Sequence, residues 1–263
     1  MINQIKALPA FDDNYIWSLL GDDNKTLCVV DPGDPVPVIK MIEEQSLTLG
    51  CILITHHHPD HTGGIAELTA KYSCKVYGPD NSSIAGITDT VKEGDEFTLF
   101  GETVSVLEVP GHTLDHIAFV VGPNAAGGKP TRLFSGDTLF AAGCGRLFEG
   151  TPAQMTDSLA KLTALGPETQ VYCTHEYTQA NLKFAIACEP GNLVTHLRIA
   201  QVSALREQGE ITLPTTIGLE LASNPFLRCS NQQIIDSAQS FSGIKPSDDV
   251  ATFAAVRAWK DEF

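Results

Sequence analysis

The sequence predicts an α+β fold, in which a sandwich of two β-sheets flanked by helices occupies residues 1–174 and a helical domain occupies residues 175–263. Three observations lead there. Short apolar runs of strand length recur up to Thr174, too many for a single sheet of common size. Helical periodicity is interleaved with them, as expected when helices cover the outer faces of sheets. Beyond Thr174 the strand runs give way to helical patterns.

The chain opens with IWSLL (16–20) and TLCVV (26–30), separated by the turn-forming GDDNK, which predicts a β-hairpin stopped by Asp31-Pro32-Gly33. Further strands are expected at CILIT (51–55), KVY (75–77), FTLF (97–100), TVSVLEV (103–109), IAFVV (117–121), RLFS (132–135) and QVYCT (170–174). Helices are expected at VPVIKMIEEQ after Pro35, at GGIAELTAKY, and at AQMTDSLAKLTAL after the Thr151-Pro152 start signal. TQANLKFAIACE, LVTHLRIAQVSALREQ, TTIGLELAS and DVATFAAVRAWKDEF supply the C-terminal helices.

With 263 residues, 43% hydrophobic and 19% charged, the chain can bury a large core without disulfides. Thirty-two acidic against 17 basic residues give a net charge of −15 and no lysine or arginine run, which argues against a nucleic-acid partner. No apolar stretch approaches membrane-span length, and the N-terminal residues do not form a signal peptide. Seven scattered cysteines without a C-x-x-C pair fit reduced thiols in the cytoplasm, and a monomer is expected.

Chemistry concentrates in Thr55-His-His-His-Pro-Asp-His61, directly after an apolar strand. Imidazole nitrogen and carboxylate oxygen are ligands for zinc and other first-row divalent ions. A histidine-rich loop by itself is often only an exposed polar segment. Here three more ligand types each follow an independent strand: His112, Asp137 and His175. Two ions about 3.5–4 Å apart need a shared group, which a carboxylate provides through its two oxygens, so Asp137 is assigned the bridge. One ion would then take His56, His58 and His112, and the other Asp60, His61 and His175. His57, flanked by ligands, is expected to face away; His196 reads as a helix-surface residue, and His116 as either structural or a support for the ligands.

T-H-H-H-P-D-H followed by G-H-T, S-G-D-T and T-H-E resembles the metallo-β-lactamase superfamily, with its αβ/βα sandwich. Within it, Pro9-Ala-Phe-Asp-Asp-Asn-Tyr15, the G-C-G-R-L-F-E-G loop (143–150), Glu189-Pro-Gly-Asn192, Asn224-Pro-Phe226 and the terminal VRAWKDEF are similar to the hydroxyacylglutathione hydrolase (glyoxalase II) family along nearly the whole chain. The resemblance implies a thioesterase that hydrolyses S-D-lactoylglutathione to D-lactate and glutathione in methylglyoxal detoxification. A hydroxide bridging two divalent ions would attack the thioester, with Asp60 and Asp137 as the carboxylates of the catalytic set. Zinc is the expected metal; iron and manganese suit the same ligands. The glutathione part would be held by Arg146, Phe148, Tyr177, Asn181, Arg257 and Lys260. Arg257 and Lys260, three apart on a helix, share a face and would offset the acidic field. The chain departs from the family pattern in carrying Phe148 where some members have tyrosine, and Asp115 where glycine is common. The alternatives are a persulfide dioxygenase, which resembles the superfamily and uses a single iron, a nuclease of the same fold, and a metal store without turnover.

Overall fold

The computed structural model describes residues 1–122 and 130–263. The chain divides into two compact units, Met1–Glu108 with Asp115–Gly136, and Val109–Leu114 with Asp137–Phe263.

In the first unit, β1 (Ile2–Ala10), β2 (Asn14–Gly21), β3 (Thr26–Val30), β4 (Thr48–Leu53), β5 (Lys75–Gly78) and β6 (Asp89–Thr90) lie side by side in chain order. The β1–β2 and β2–β3 pairs are antiparallel, and the remaining pairs are parallel. Parallel neighbours need crossovers. α1 (Pro35–Gln45) supplies the one from β3 to β4; α2 (Pro59–Thr62) and α3 (Ile65–Lys71) supply the one from β4 to β5. Asp34 caps α1 by accepting from Val36 N at 2.9 Å, with Pro35 at the first helical position. Val38, Met41 and Ile42 of α1 and Ile65 and Leu68 of α3 pack on Leu27, Val29, Ile52 and Val76 of the sheet.

A second sheet of this unit runs antiparallel through β7 (Glu96–Leu99), β8 (Glu102–Glu108), β9 (Ile117–Val121) and β10 (Arg132–Gly136). Tyr77 of β5 stacks on Phe97 of β7 at 4.3 Å between ring centroids, so the two sheets face one another. Every residue of β2, β9 and β10 is buried, as a sandwich closed on both sides requires.

The second unit carries the hairpin β11 (Leu139–Phe140) and β12 (Gly143–Cys144), then α4 (Pro152–Thr163) and β13 (Gln170–Cys173). α5 (Thr178–Cys188), α6 (Leu193–Glu207), β14 (Thr215–Thr216), α7 (Ile217–Ser223), α8 (Gln232–Ser242) and α9 (Asp249–Glu262) follow. Thr151 and Gln154 close a full capping box on α4. Its core is aromatic: Phe184 meets Trp259 at 5.1 Å, and Phe226 meets Phe253 at 5.5 Å.

Each strand and helix expected above is present, usually with ends moved by a residue or two. β1 was not anticipated because Lys6 and Pro9 interrupt its apolar pattern, which an edge strand tolerates. α8 was also missed, although Asn231 caps it and Ile234 and Ala238 face inward one turn apart. Among the described residues no helix is long and apolar enough to cross a membrane.

Candidate metal centre

The histidine-rich segment of the first unit, which carries four of the candidate ligands, leaves β4 and turns into α2. Pro59 occupies the first position of that turn, and His58, extended at φ −61° and ψ 144°, precedes it. His56 and His58 therefore stay on the extended stretch while Asp60 and His61 are carried round by the helical turn. His56 and His61 are completely buried.

Two carboxyl-centred networks orient these side chains. Asp31, at the end of β3, accepts Thr55 N and Thr55 Oγ1, each at 2.8 Å, and its Oδ2 also lies 3.0 Å from His61 Nδ1. Since Thr55 Oγ1 spends its proton on Asp31, it must accept from His56 Nδ1, 3.0 Å away. The proton of His56 is thus on Nδ1 and its lone pair on Nε2; at His61 the Asp31 carboxylate beside Nδ1 favours the same tautomer. Asn14 Nδ2 donates to Asp60 Oδ2 at 3.0 Å, and the buried His116 stacks on His56 with ring centroids 4.6 Å apart. His57 turns away as expected, onto Asp115 Oδ1 at 2.9 Å, whose other oxygen accepts Asn81 Nδ2 at 2.8 Å.

In the second unit, His112 sits on a loop held by α4 through Ser158 Oγ, which donates to Pro110 O at 2.7 Å. Its Nδ1 lies 2.8 Å from Arg146 O, a pure acceptor, so here too the proton is on Nδ1 and the lone pair on Nε2. Asp137 Oδ2 stands 3.4 Å from His112 Nε2 and 3.3 Å from His175 Nε2. One carboxylate oxygen therefore serves two histidines that the sequence assigns to different ions.

These separations carry chemical meaning. His112 Nε2 and Asp137 Oδ2 are both acceptors, as are His61 Nε2 and Asp60 Oδ2 at 3.4 Å. Acceptors held this close repel unless a cation lies between them. Two ligands about 2.0–2.1 Å from a tetrahedral ion stand about 3.3 Å apart, which matches the pairs observed. The residues of both units fit divalent metal binding, with neutral imidazoles and carboxylates whose supports are already in place.

Glycines beside Asp137 reflect crowding. Gly136 has φ +48°, and a Cβ there would come within 2.5 Å of Thr55 Oγ1. A Cβ on Gly145 would lie 1.9 Å from Asp137 O. Gly145→Ala must push the backbone of Asp137, and overpacking of this kind costs roughly 1–3 kcal/mol. Its expected outcome is metal loss at a lower chelator concentration than wild type, together with a lower midpoint of thermal unfolding; an unchanged metal affinity would show that the Asp137 backbone can yield.

The six residues implied for glutathione binding, all in the second unit, occupy different environments. The Arg146 side chain is 54% exposed and its Nε donates to Asp261 at 3.1 Å. Phe148 is exposed and meets the His112 ring edge-on at 5.3 Å. Tyr177 stacks on His175 at 4.7 Å, with the two rings parallel to within 1°. Lys260 lies over Phe184 and Phe263; burial, and then the charge of Arg257, lower its ammonium pKa below the ordinary lysine value.

Asn181 and Arg257 both lie in the interior, and for Arg257 this differs from the surface face that helical spacing suggests. Asn181 is buried and donates to Ala141 O at 3.0 Å. Arg257 is 7% exposed; it donates to Cys144 O and to Asp261, each at 2.9 Å, and lies over the Phe226 ring. It shares the buried face with Phe253 and Val256 because the loop carbonyl and Asp261 give its guanidinium partners there.

Sequence reasoning missed Asp31 and Asn14 as supports of the ligands. The signal for Asp31 was its place at a strand end beside the ligand strand, but its Asp-Pro-Gly setting read as a turn. Asp31 takes φ +52°, in the left-handed region that aspartate tolerates better than most residues.

Comparison with known proteins identifies the family. The family model for the metallo-beta-lactamase superfamily matches residues 13–175, and that for the hydroxyacylglutathione hydrolase C-terminus matches residues 176–263. The hydroxyacylglutathione hydrolase of Photobacterium profundum is 52% identical, over 98% of this chain and 99% of its own length. That of Idiomarina loihiensis is 49% identical over the same shares. Among solved structures, ETHE1 from Myxococcus xanthus aligns with a TM-score of 0.64 at 25% identity, covering 98% of this chain and 99% of its own. TTHA1623 in a di-iron-bound form aligns at 0.57 and 26% identity, covering 85% and 100%. Because the likeness to the curated relatives spans the sandwich and the helical region alike, the chain belongs to the hydroxyacylglutathione hydrolase family of the metallo-β-lactamase superfamily.

Proposed function

We propose that the protein hydrolyses S-D-lactoylglutathione and related 2-hydroxyacylglutathione thioesters to the hydroxy acid and glutathione, using two divalent ions. The observation that carries this reading is Asp137 Oδ2, shared between His112 Nε2 and His175 Nε2. In it His56, His58 and His112 would hold one ion, Asp60, His61 and His175 would hold the other, and Asp137 would be shared between them. Zinc is the metal we favour; iron and manganese suit the same donors.

When bound, such ions polarise a carbonyl oxygen and lower the pKa of water to about 7, so that a nucleophile is present at neutral pH. The chain's own residues do the rest. Asp31 and Thr55 hold His61 and His56 in one tautomer, and Arg146 O does so for His112, which keeps their Nε2 lone pairs directed inward. Residues 1–174 would supply six of the seven ligands, and Arg146 and Phe148, together with Tyr177 and Lys260 of residues 175–263, would be directly at the glutathione part. Asn181 and Arg257 act there through the backbone of residues 141–144. Glutathione leaves as a thiolate, and since a free thiol has a pKa of about 8.5, little acid assistance is needed. All seven cysteines are free, which supports a reducing, cytoplasmic setting.

The test is thiol release from S-D-lactoylglutathione by purified protein, before and after chelation, with metal content measured on the same sample. Chelator-sensitive turnover with about two ions per chain is expected. Full metal loading without turnover would reject the reading, and oxygen consumption with glutathione persulfide would replace it by the dioxygenase.

A pH effect follows from Lys260. Its lowered pKa means that the charge is lost below the ordinary value of 10.5 as pH rises. KM is therefore expected to climb in the wild type as pH rises towards the ordinary lysine value, and to stay level in Lys260→Arg, whose guanidinium remains charged. Parallel profiles would remove Lys260 from substrate binding. Folding responds in the opposite sense: the group takes up fewer protons folded than unfolded in that window, so its contribution to stability rises with pH there.

A further inference from the structure

Between the bridging Asp137 and the exposed Arg146, five consecutive residues each have one backbone group held by a side chain from a later element of the second unit. Asn224 Nδ2 donates to Phe140 O at 3.3 Å and to Gly143 O at 2.9 Å; Asn181 donates to Ala141 O at 3.0 Å; Arg257 Nη1 donates to Cys144 O at 2.9 Å. The single N–H in the series, that of Ala142, donates to Glu220 Oε2 at 2.7 Å. Ala142 has φ +57°, a left-handed conformation that an alanine does not adopt without support.

Glu220 on α7 is completely buried. Its Oε1 takes Arg198 Nη2 at 2.6 Å and Thr215 Oγ1 at 2.7 Å, while Oε2 takes Ala142 N and, at 3.0 Å, the Asn224 amide that itself grips the hairpin. A buried arginine–carboxylate pair contributes little net stability compared with apolar residues of the same volume. What this carboxylate adds is location, since one of its oxygens is spent wholly on the hairpin and on Asn224, one of the hairpin's other clamps.

The far end of the hairpin leads to the active residues. Gly145 N donates to Thr138 O at 3.2 Å, and Arg146 contributes both its side chain and the carbonyl that sets the His112 tautomer. We propose that Glu220 is a positioning residue for the reaction: it holds the strained turn at Ala142 so that Arg146 and Phe148 are presented to the glutathione part of the substrate. The inference rests on the thioesterase reading given above.

Two double variants isolate the contact. Arg198→Met with Glu220→Gln removes both charges but keeps an acceptor for Ala142 N; Arg198→Met with Glu220→Met removes the acceptor as well. KM for S-D-lactoylglutathione is expected to be about tenfold higher in the second than in the first, in line with the effect of small misplacements of binding groups. Metal content and kcat should be matched. Equal KM values, whatever the thermal midpoints, would reduce Glu220 to a structural residue. If the Met/Met protein does not fold, Glu220→Asp in the wild type keeps Arg198 paired but withdraws the carboxylate by one methylene; the same rise in KM is expected, and an unchanged KM overturns the proposal. If the wild type itself shows no thioester hydrolysis, the functional reading has failed, and positioning is then read from the rate of tryptic cleavage after Arg146. Faster cleavage in Met/Met than in Met/Gln is the expected result, and equal rates would overturn it.

Discussion

Replacing Asp137 by alanine is expected to abolish metal pairing and thioester hydrolysis together. Its Oδ2 is the atom common to His112 and His175, and its side chain is only 8% exposed, so no solvent-borne group easily takes its place. Removing the carboxylate leaves both imidazoles without the anion that balances a divalent charge. Lewis-acid stabilisation is worth several kcal/mol, so its loss lowers kcat by roughly 10³-fold or more. Metal analysis and turnover on the same sample check this: fewer than two ions with residual activity near background is expected. A variant that keeps its metal content and its rate would refute the bridge. Asp137→Asn separates charge from shape, because the amide retains an oxygen but not the anion; it is expected to bind metal weakly and to fall between the alanine variant and wild type.

The second large effect is expected at Asp31, which does not reach a metal in our reading. Its two buried oxygens receive Thr55 N and Thr55 Oγ1 and face His61 Nδ1. Asp31→Ala frees His61 to take the other tautomer and leaves the threonine hydroxyl able to donate to His56 rather than accept from it. Both ligands then lose the lone-pair direction that the centre requires. Loss of such a partner typically costs 10–100-fold in metal affinity or activity. Competition with a chromophoric chelator reads this directly, and added metal should restore part of the rate, which it would not do if the substitution merely unfolded the protein. Wild-type affinity in Asp31→Ala would show that Thr55 and the surrounding packing orient the histidines unaided.

Part of the candidate metal centre is legible in the sequence because its proposed ligands follow strands directly. His56, His58, Asp60 and His61 succeed β4 within a few residues, while Asp137 and His175 come immediately or almost immediately after β10 and β13. Strand ends are recognised by alternation and by glycine or proline, both local properties. The change from strand to helix after Thr174 is legible for the same reason. The supports are not, because each joins segments distant in sequence: Asn14 to Asp60, Asp31 to His61, His112 to the carbonyl of Arg146. Arg257 shows the limit most plainly. Helical spacing places it beside Lys260 as one of two surface cations, but the Cys144 carbonyl and Asp261 offer its guanidinium partners in the interior and draw it there.

The sequence by itself determined which atoms are available as ligands, which segments alternate as strands and where the helical region begins, since periodicity and residue type act over a few neighbouring positions. Only the tertiary structure decided which nitrogen of His56 and His112 carries its proton, that Asp137 Oδ2 lies close to two histidines, and that Glu220 accepts from the turn at Ala142. Those outcomes depend on donors and acceptors meeting across tens of residues, where burial leaves each polar group to find its partner within the fold.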